Sequence, residues 1–289
     1  MSKPTIFVAG AGYMGHGIAQ TAAGAGHPVV LYDLKMELAV KGIERIRWSL
    51  EKFKAKAPET ASDPQTVLAL IHPTEDLNAA AGADIVIEAI AEIASLKEEL
   101  FGRLDALCRK DAVFCSNTSA IPISRLAAGT KRPDRFCGMH FFSPVPLMKL
   151  VEVIRGLETS DETIARVMTL AREMGKEPVE VKRDIAGFIV NRILIASTLE
   201  AVRVLEAGVA DAGTIDLAMR IGCGYKMGPL ELGDMAGLDV FYHAANAIYE
   251  DTGDPKYKPP ALLARMVAAG HLGQKSGRGF YDHSKKETK

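Results

Sequence analysis

Thr5 to Ala9, "TIFVA", run without a break into "GAGYMGHGIAQ". An apolar run that stops at glycines and reopens as a helical pattern reads as strand, tight turn and helix, the opening unit of an alternating α/β fold. Gly10, Gly12 and Gly15 fit G-x-G-x-x-G. The first glycine allows the tight turn, the second lets backbone approach a pyrophosphate, and the third lets the helix pack close to the strand. The intervening Ala11, Tyr13 and Met14 complete a loop whose amide groups, at a helix N-terminus, are suited to phosphate.

Asp33 closes the next apolar run, near the ~20-residue spacing at which such folds place a ribose-binding acid. A carboxylate there accepts from a 2′-hydroxyl and repels a 2′-phosphate, so the expected cofactor is NAD rather than NADP. A glycine turn with no ligand is the alternative reading. Further strands are expected at Pro28 to Asp33, Ala83 to Ile90, Ala112 to Asn117, Arg135 to His140, Leu150 to Ile154 and Pro178 to Lys182. Near-continuous apolar runs separated by helices point to a mostly parallel, Rossmann-type sheet covered on both faces. The stretch between Asp33 and Ala83 reads as a longer helical insertion. Beyond Asp184 the strand signals stop. "GFIVNRILIASTLEAVRVLEAG" reads as a long helix, apolar on several faces and ended by Gly208. The expected division is therefore a cofactor domain over 1–183 and an all-helical substrate and dimerisation domain over 184–289. A helix that is apolar on several sides needs a cover on each of them, and in so small a domain a second copy of the chain is the expected one.

With 289 residues, 48% hydrophobic and 25% charged, the composition is that of a globular protein, and a formal net charge of -1 gives no reason to expect nucleic acid or a membrane as partner. No apolar segment reaches the ~18 residues needed to span a bilayer. Cys108, Cys115, Cys137 and Cys223 form no CxxC pair and no metal-ligand spacing with histidine. They read as reduced, mostly buried thiols of a cytoplasmic protein, and no metal is expected.

The stretch "CGMHFFSPVPLMKLVEV" is apolar enough for a core, yet carries His140 near its start and Glu152 near its end. Buried without partners, an imidazole and a carboxylate each cost several kcal/mol. Taken alone, His140 could be a core histidine bonded to a carbonyl and Glu152 a strand-edge carboxylate facing water. If instead they meet, the carboxylate fixes the imidazole's tautomer and the pair forms a base.

Together with "SNTSA" (Ser116 to Ala120), "GFIVNR" (Gly187 to Arg192) and "GQKSGRGFYDH", these motifs resemble the L-3-hydroxyacyl-CoA dehydrogenase family over nearly the whole chain, and most closely its short, stand-alone members acting on 3-hydroxybutyryl-CoA. The resemblance implies NAD-dependent interconversion of (3S)-3-hydroxyacyl-CoA and 3-ketoacyl-CoA. It makes His140 the general base, Glu152 its partner, Ser119 a hydrogen-bond donor to the substrate oxygen, and Asn191 a contact to His140 or to that oxygen. By the same likeness Glu92, Lys97 and Asn117 lie around the nicotinamide ribose and the bound substrate, Ser143 stands at a nicotinamide or ribose contact, Lys275 touches the cofactor, and Lys52 and Lys54, on the basic insertion, meet the CoA nucleotide. From the residues alone, Ser119 would be a helix N-cap or turn residue, Asn191 an interhelical hydrogen bonder, and Lys97 and Lys275 solvated charges. Ser143 stands where the family most often has asparagine, Ala186 replaces a common proline, and Ala120 a frequent hydroxyl residue. These departures bear on substrate range, so a CoA-free dehydrogenase of the carnitine or gulonate kind is an alternative, and a non-catalytic NADH-binding relative is another.

Overall fold

The computed structural model describes residues 3–59 and 62–284. The tail "SKKETK", whose polar, charged composition predicts a frayed end, lies outside them apart from Ser284. The chain separates into two compact units, Met1–Asp184 and Ile185–Lys289.

The first unit runs β1 (Ile6–Ala9), α1 (Gly15–Gly24), β2 (Val29–Tyr32), α2 (Met36–Lys56), α3 (Pro64–Leu68), β3 (Ile71–Thr74), β4 (Ile85–Glu88), α4 (Ala94–Leu107), β5 (Val113–Ser116), α5 (Ile123–Ala128), β6 (Phe136–Phe141), β7 (Leu150–Arg155), α6 (Asp161–Glu173) and β8 (Glu177–Val181). The strands form one sheet in the order β3-β2-β1-β4-β5-β6-β7-β8. Every neighbouring pair is parallel except β6 and β7, which are antiparallel. β1 lies between β2 and β4, so the strand order reverses beside the glycine turn, where open α/β sheets bind ligands.

The sheet is buried on both faces because alternate side chains go to opposite sides. Ile6, Val8, Ile87, Cys115 and Met139 pack with Ile18 of α1 and Val167 of α6. Phe7, Phe114 and Phe136 are equally buried one residue out of phase, and Phe101 of α4 meets Phe136 edge-on at 4.6 Å between ring centroids. This two-sided burial is why the strands read as continuous apolar runs.

Two expectations need correction. β3 falls in the stretch read as wholly helical. It contains Pro73, which cannot donate to a ladder, and it survives because it is an edge strand paired only with β2. β6 extends one residue beyond its expected end, to Phe141, so His140 sits inside the strand rather than at its last position. Cys108, Cys115 and Cys137 are buried as expected, whereas Cys223 is exposed.

The second unit is helical: α7 (Val190–Glu206), α8 (Ala212–Cys223), α9 (Pro229–Ala236), α10 (Leu238–Thr252) and α11 (Ala261–Ala268). Leu199, Val202, Leu230, Phe241, Ile248 and Leu263 form its centre. Gly208, at φ +69°, follows the end of α7 as expected. The motif "GQKSGRGFYDH" is tied down by Asp234, which is fully buried and accepts from the Phe280 and Tyr281 amides, each at 2.9 Å, and from His283 Nε2 at 2.8 Å. Among the described residues no helix is long and apolar enough to cross a membrane.

Candidate active site

The glycine turn is shaped by contacts that leave no room for side chains. Gly10 has φ +103°, and a Cβ there would lie 2.6 Å from the Ala89 carbonyl oxygen; one on Gly15 would lie 1.7 Å from the Gly10 oxygen. A Cβ on Gly12 would meet nothing within 4 Å. That open side leaves space for a pyrophosphate against the backbone. Asp33, just after β2, accepts from the Ala11 amide and from its neighbour Leu34, both at 2.8 Å. A cavity of about 290 Å³ opens beside it, bounded by Gly12, Asp33, Leu34, Ile90, Leu100 and Arg103. Largely apolar walls, the Asp33 carboxylate and a bare glycine turn fit the adenosine half of NAD. Met14 is half-buried at the head of α1, while Tyr13 is 70% exposed and accepts a hydrogen bond from Ser143 Oγ at 2.7 Å. The glycine loop is thereby linked to the loop that follows β6.

His140 and Glu152 are cross-strand partners. The antiparallel register sets them directly opposite each other, and His140 Nδ1 lies 2.8 Å from Glu152 Oε2. Glu152 is 0% exposed and His140 6%, so the water-facing alternative for Glu152 is excluded. The loop between the two strands is held by Lys176, whose ammonium donates to the carbonyls of Val145 at 2.5 Å and Met148 at 2.9 Å. Burial, helped by Lys149, lowers the Lys176 pKa to about 8. Asn117 uses its side-chain oxygen on the Phe141 amide at 2.9 Å, pinning the end of β5 to β6.

Ser119 lies in the bend after β5 and is half-buried. It does not cap α5, whose first amides, Ile123 and Ser124, are taken by the Asp184 carboxylate at 2.9 and 2.7 Å. The Ser119 amide donates instead to Glu92 Oε1 at 2.9 Å, and the Thr118 hydroxyl donates to the same oxygen at 2.5 Å. Lys97 is not a solvated charge: it is 1% exposed, with Nζ 2.6 Å from Glu88 and 3.0 Å from Glu92. Burial works to raise the Glu92 pKa, but the Lys97 charge and the Thr118 and Ser119 donors outweigh it and hold it below the ordinary carboxylate range. At Glu88 burial prevails over Lys97 and the pKa is raised.

Reading by motif passed over Glu88, Ser116, Thr118 and Lys176. The available signal was a carboxylate inside the apolar run "ADIVIEAI", where burial demands partners.

The remaining candidates lie elsewhere. On α2, Lys52 is exposed and stacks its ammonium 3.8 Å from the Trp48 ring centroid, while Lys54 is half-buried. In the second unit, Asn191 stands on the first turn of α7, just after Gly187 and Phe188, both at positive φ. Lys275, in the same unit, pairs with Asp239 at 2.5 Å.

A doubly wound sheet with this glycine turn and acid defines a dinucleotide-binding protein suited to NAD. The model of the 3-hydroxyacyl-CoA dehydrogenase NAD-binding domain matches residues 5–185, and that of the 3-hydroxyacyl-CoA dehydrogenase C-terminal domain matches 187–283. The chain is 48% identical to a probable 3-hydroxybutyryl-CoA dehydrogenase of Bacillus subtilis over 100% of both chains. It is 41% identical to the mitochondrial hydroxyacyl-coenzyme A dehydrogenase of Sus scrofa, over 96% of this chain and 90% of that one. The crystal structure of the (S)-3-hydroxybutyryl-CoA dehydrogenase of Ralstonia eutropha superposes with a TM-score of 0.95 at 44% identity, covering 98% of this chain and 100% of that one. The chain belongs to the 3-hydroxyacyl-CoA dehydrogenase family.

Proposed function

We propose that this protein interconverts (S)-3-hydroxybutyryl-CoA and acetoacetyl-CoA with His140 as general base. The observation that carries the reading is the buried 2.8 Å contact between His140 Nδ1 and Glu152. It commits the Nδ1 proton to the carboxylate, so proton exchange with the substrate falls to Nε2. In the oxidative direction Nε2 takes the proton of the 3-hydroxyl, and Glu152 stabilises the imidazolium that forms. NAD, when bound, supplies the hydride acceptor. Ser119 and Asn191 hydrogen-bond the same substrate oxygen, and Lys52 and Lys54 meet the CoA phosphates. Glu92, Asn117, Ser143 and Lys275 complete the cofactor's surroundings, Asn117 through its hold on β6. The short acyl chain is supported by the names of the Bacillus and Ralstonia relatives. A cytoplasmic location belongs to this reading and is supported by three buried free thiols.

Following NADH absorbance with acetoacetyl-CoA tests it. Rapid NADH oxidation, with NADPH at least tenfold poorer because Asp33 repels a 2′-phosphate, is the expected result. NADH binding with no oxidation of acetoacetyl-CoA, but turnover of a CoA-free 3-keto acid, would sink it.

The helical unit is further proposed to pair with a second copy. Thr214, Leu217, Ala218 and Ile221 make an exposed, uncharged stripe on α8 at helical spacing, Leu217 at 49% and Ile221 at 78% exposure. Ile193 on α7, 66% exposed, adds to the apolar surface of that unit. Light scattering at micromolar concentration should give twice the chain mass, and Leu217→Glu with Ile221→Glu should give the single mass. A monomeric wild type would refute the pairing.

A further inference from the structure

Beneath Ser119 lies a chain of polar groups that begins in the middle of the sheet. Glu88 ends β4 between Ala9 of β1 and Ser116 of β5 and is fully buried. Its Oε1 accepts from Lys97 at 2.6 Å and from the Ile90 amide at 2.8 Å, and its Oε2 accepts from the Ser116 hydroxyl at 2.6 Å. Two routes lead from there to the Ser119 bend. Ser116 Oγ accepts from the Thr118 amide at 3.3 Å. Lys97 bridges to Glu92, which takes the Thr118 hydroxyl and the Ser119 amide. The routes close a ring around residues 116–119, in which Glu88, Ser116 and Thr118 are all fully buried.

Stability does not account for such a group. A buried carboxylate–ammonium–carboxylate set is commonly no more stable than apolar side chains filling the same space, and its attested use is to specify one geometry. The geometry specified here is that of the bend carrying Ser119. We propose that Glu88 is a positioning residue: acting through Lys97, Glu92 and Ser116, it holds the Ser119 hydroxyl where it meets the substrate oxygen. The proposal rests on Ser119 being that hydrogen-bond donor. Lys97 serves the site from below, by fixing Glu92. Glu88→Gln keeps the shape but replaces one acceptor oxygen by an NH2 group, which faces either the Lys97 ammonium or the Ser116 hydroxyl. Facing Lys97 it breaks a bond of the ring; facing Ser116, whose hydroxyl can accept instead of donating, it keeps that bond but leaves the Lys97 ammonium without the counter-charge of Glu88, and in both cases the bend shifts.

A double-mutant cycle reads this directly, with kcat and KM for acetoacetyl-CoA and NADH and thermal midpoints for all four proteins. Ser119→Ala should lower kcat about a hundredfold, as loss of one donor to a reacting oxygen does. Glu88→Gln should lower kcat about tenfold through misplacement of that donor, with the NADH KM within about twofold. In the Ser119→Ala background Glu88→Gln should change kcat by less than about twofold, because the group it positions is gone. Equal losses from Glu88→Gln in both backgrounds, or none in the wild type, would overturn the positioning role while leaving Ser119 in place. Wild-type kcat in Ser119→Ala would remove the Ser119 reading and this one with it. Should Glu88→Gln fail to fold, Thr118→Val cuts the ring beside Ser119 at nearly constant volume, and the same cycle and outcomes apply.

Discussion

Replacing His140 by glutamine should lower kcat for acetoacetyl-CoA reduction by about a hundred- to ten-thousand-fold, the usual contribution of a positioned acid or base. The NADH KM should stay within about threefold and the thermal midpoint close to wild type. Glutamine fits a site formed by the alternation of β6 and can still donate to Glu152, so the polar pair keeps a hydrogen bond. It has no group that takes and returns a proton near neutral pH. The loss should therefore appear in kcat rather than in binding. Stopped-flow single turnovers with saturating NADH would separate chemistry from product release. A variant that turns over within threefold of wild type would remove His140 from the mechanism.

Glu152→Gln is expected to cost a comparable amount of kcat, about a hundred- to ten-thousand-fold, with the CoA-substrate KM little changed. In a serine-protease triad the same carboxylate-to-amide exchange costs about ten-thousand-fold, because the histidine tautomer is wrong and the imidazolium loses its counter-charge. Glu152 is placed for both effects: it is wholly buried, 2.8 Å from Nδ1, and it stands opposite His140 in the strand register. A double variant, His140→Gln with Glu152→Gln, should be no slower than His140→Gln alone, since two groups acting as one unit do not contribute additively. Steady-state kinetics on the three proteins settles it. Multiplying losses would mean that Glu152 acts on the reaction independently of His140.

Much of this site could be read without coordinates. The glycine turn is legible because Gly10 and Gly15 reject any side chain for local steric reasons while Gly12 leaves the backbone open to a pyrophosphate, and an acid at the end of the next apolar run is a fixed-distance signal. His140 and Glu152 stand out because charge and imidazole are costly in an apolar run. The helical character of the second unit follows from the length of its apolar patterns and from Gly208. β3 was hidden because a proline in a four-residue run argues against a strand unless the strand is known to be an edge. Glu88 and Lys97 were harder still. Lys97 looks like any lysine on a helix face, and only the packing of α4 over the ends of β4 and β5 places its ammonium between two carboxylates.

The sequence by itself determined the kind of molecule: local patterns of apolar spacing, glycine and acid dictate strands, turn and helices, and with them an NAD-binding sheet followed by helices. Which groups face one another was decided by the tertiary structure alone. His140 and Glu152 are twelve positions apart in the chain, and a slip of one residue in the β6–β7 register would turn one of them to the opposite face of the sheet. Nothing local to either strand prevents that slip; burial of both faces does, together with Lys176 and Asn117 holding the loop and the strand end. The ring from Glu88 to Ser119 likewise exists only because the parallel strands β4 and β5 end side by side and α4 brings Lys97 to them, joining residues far apart in the chain.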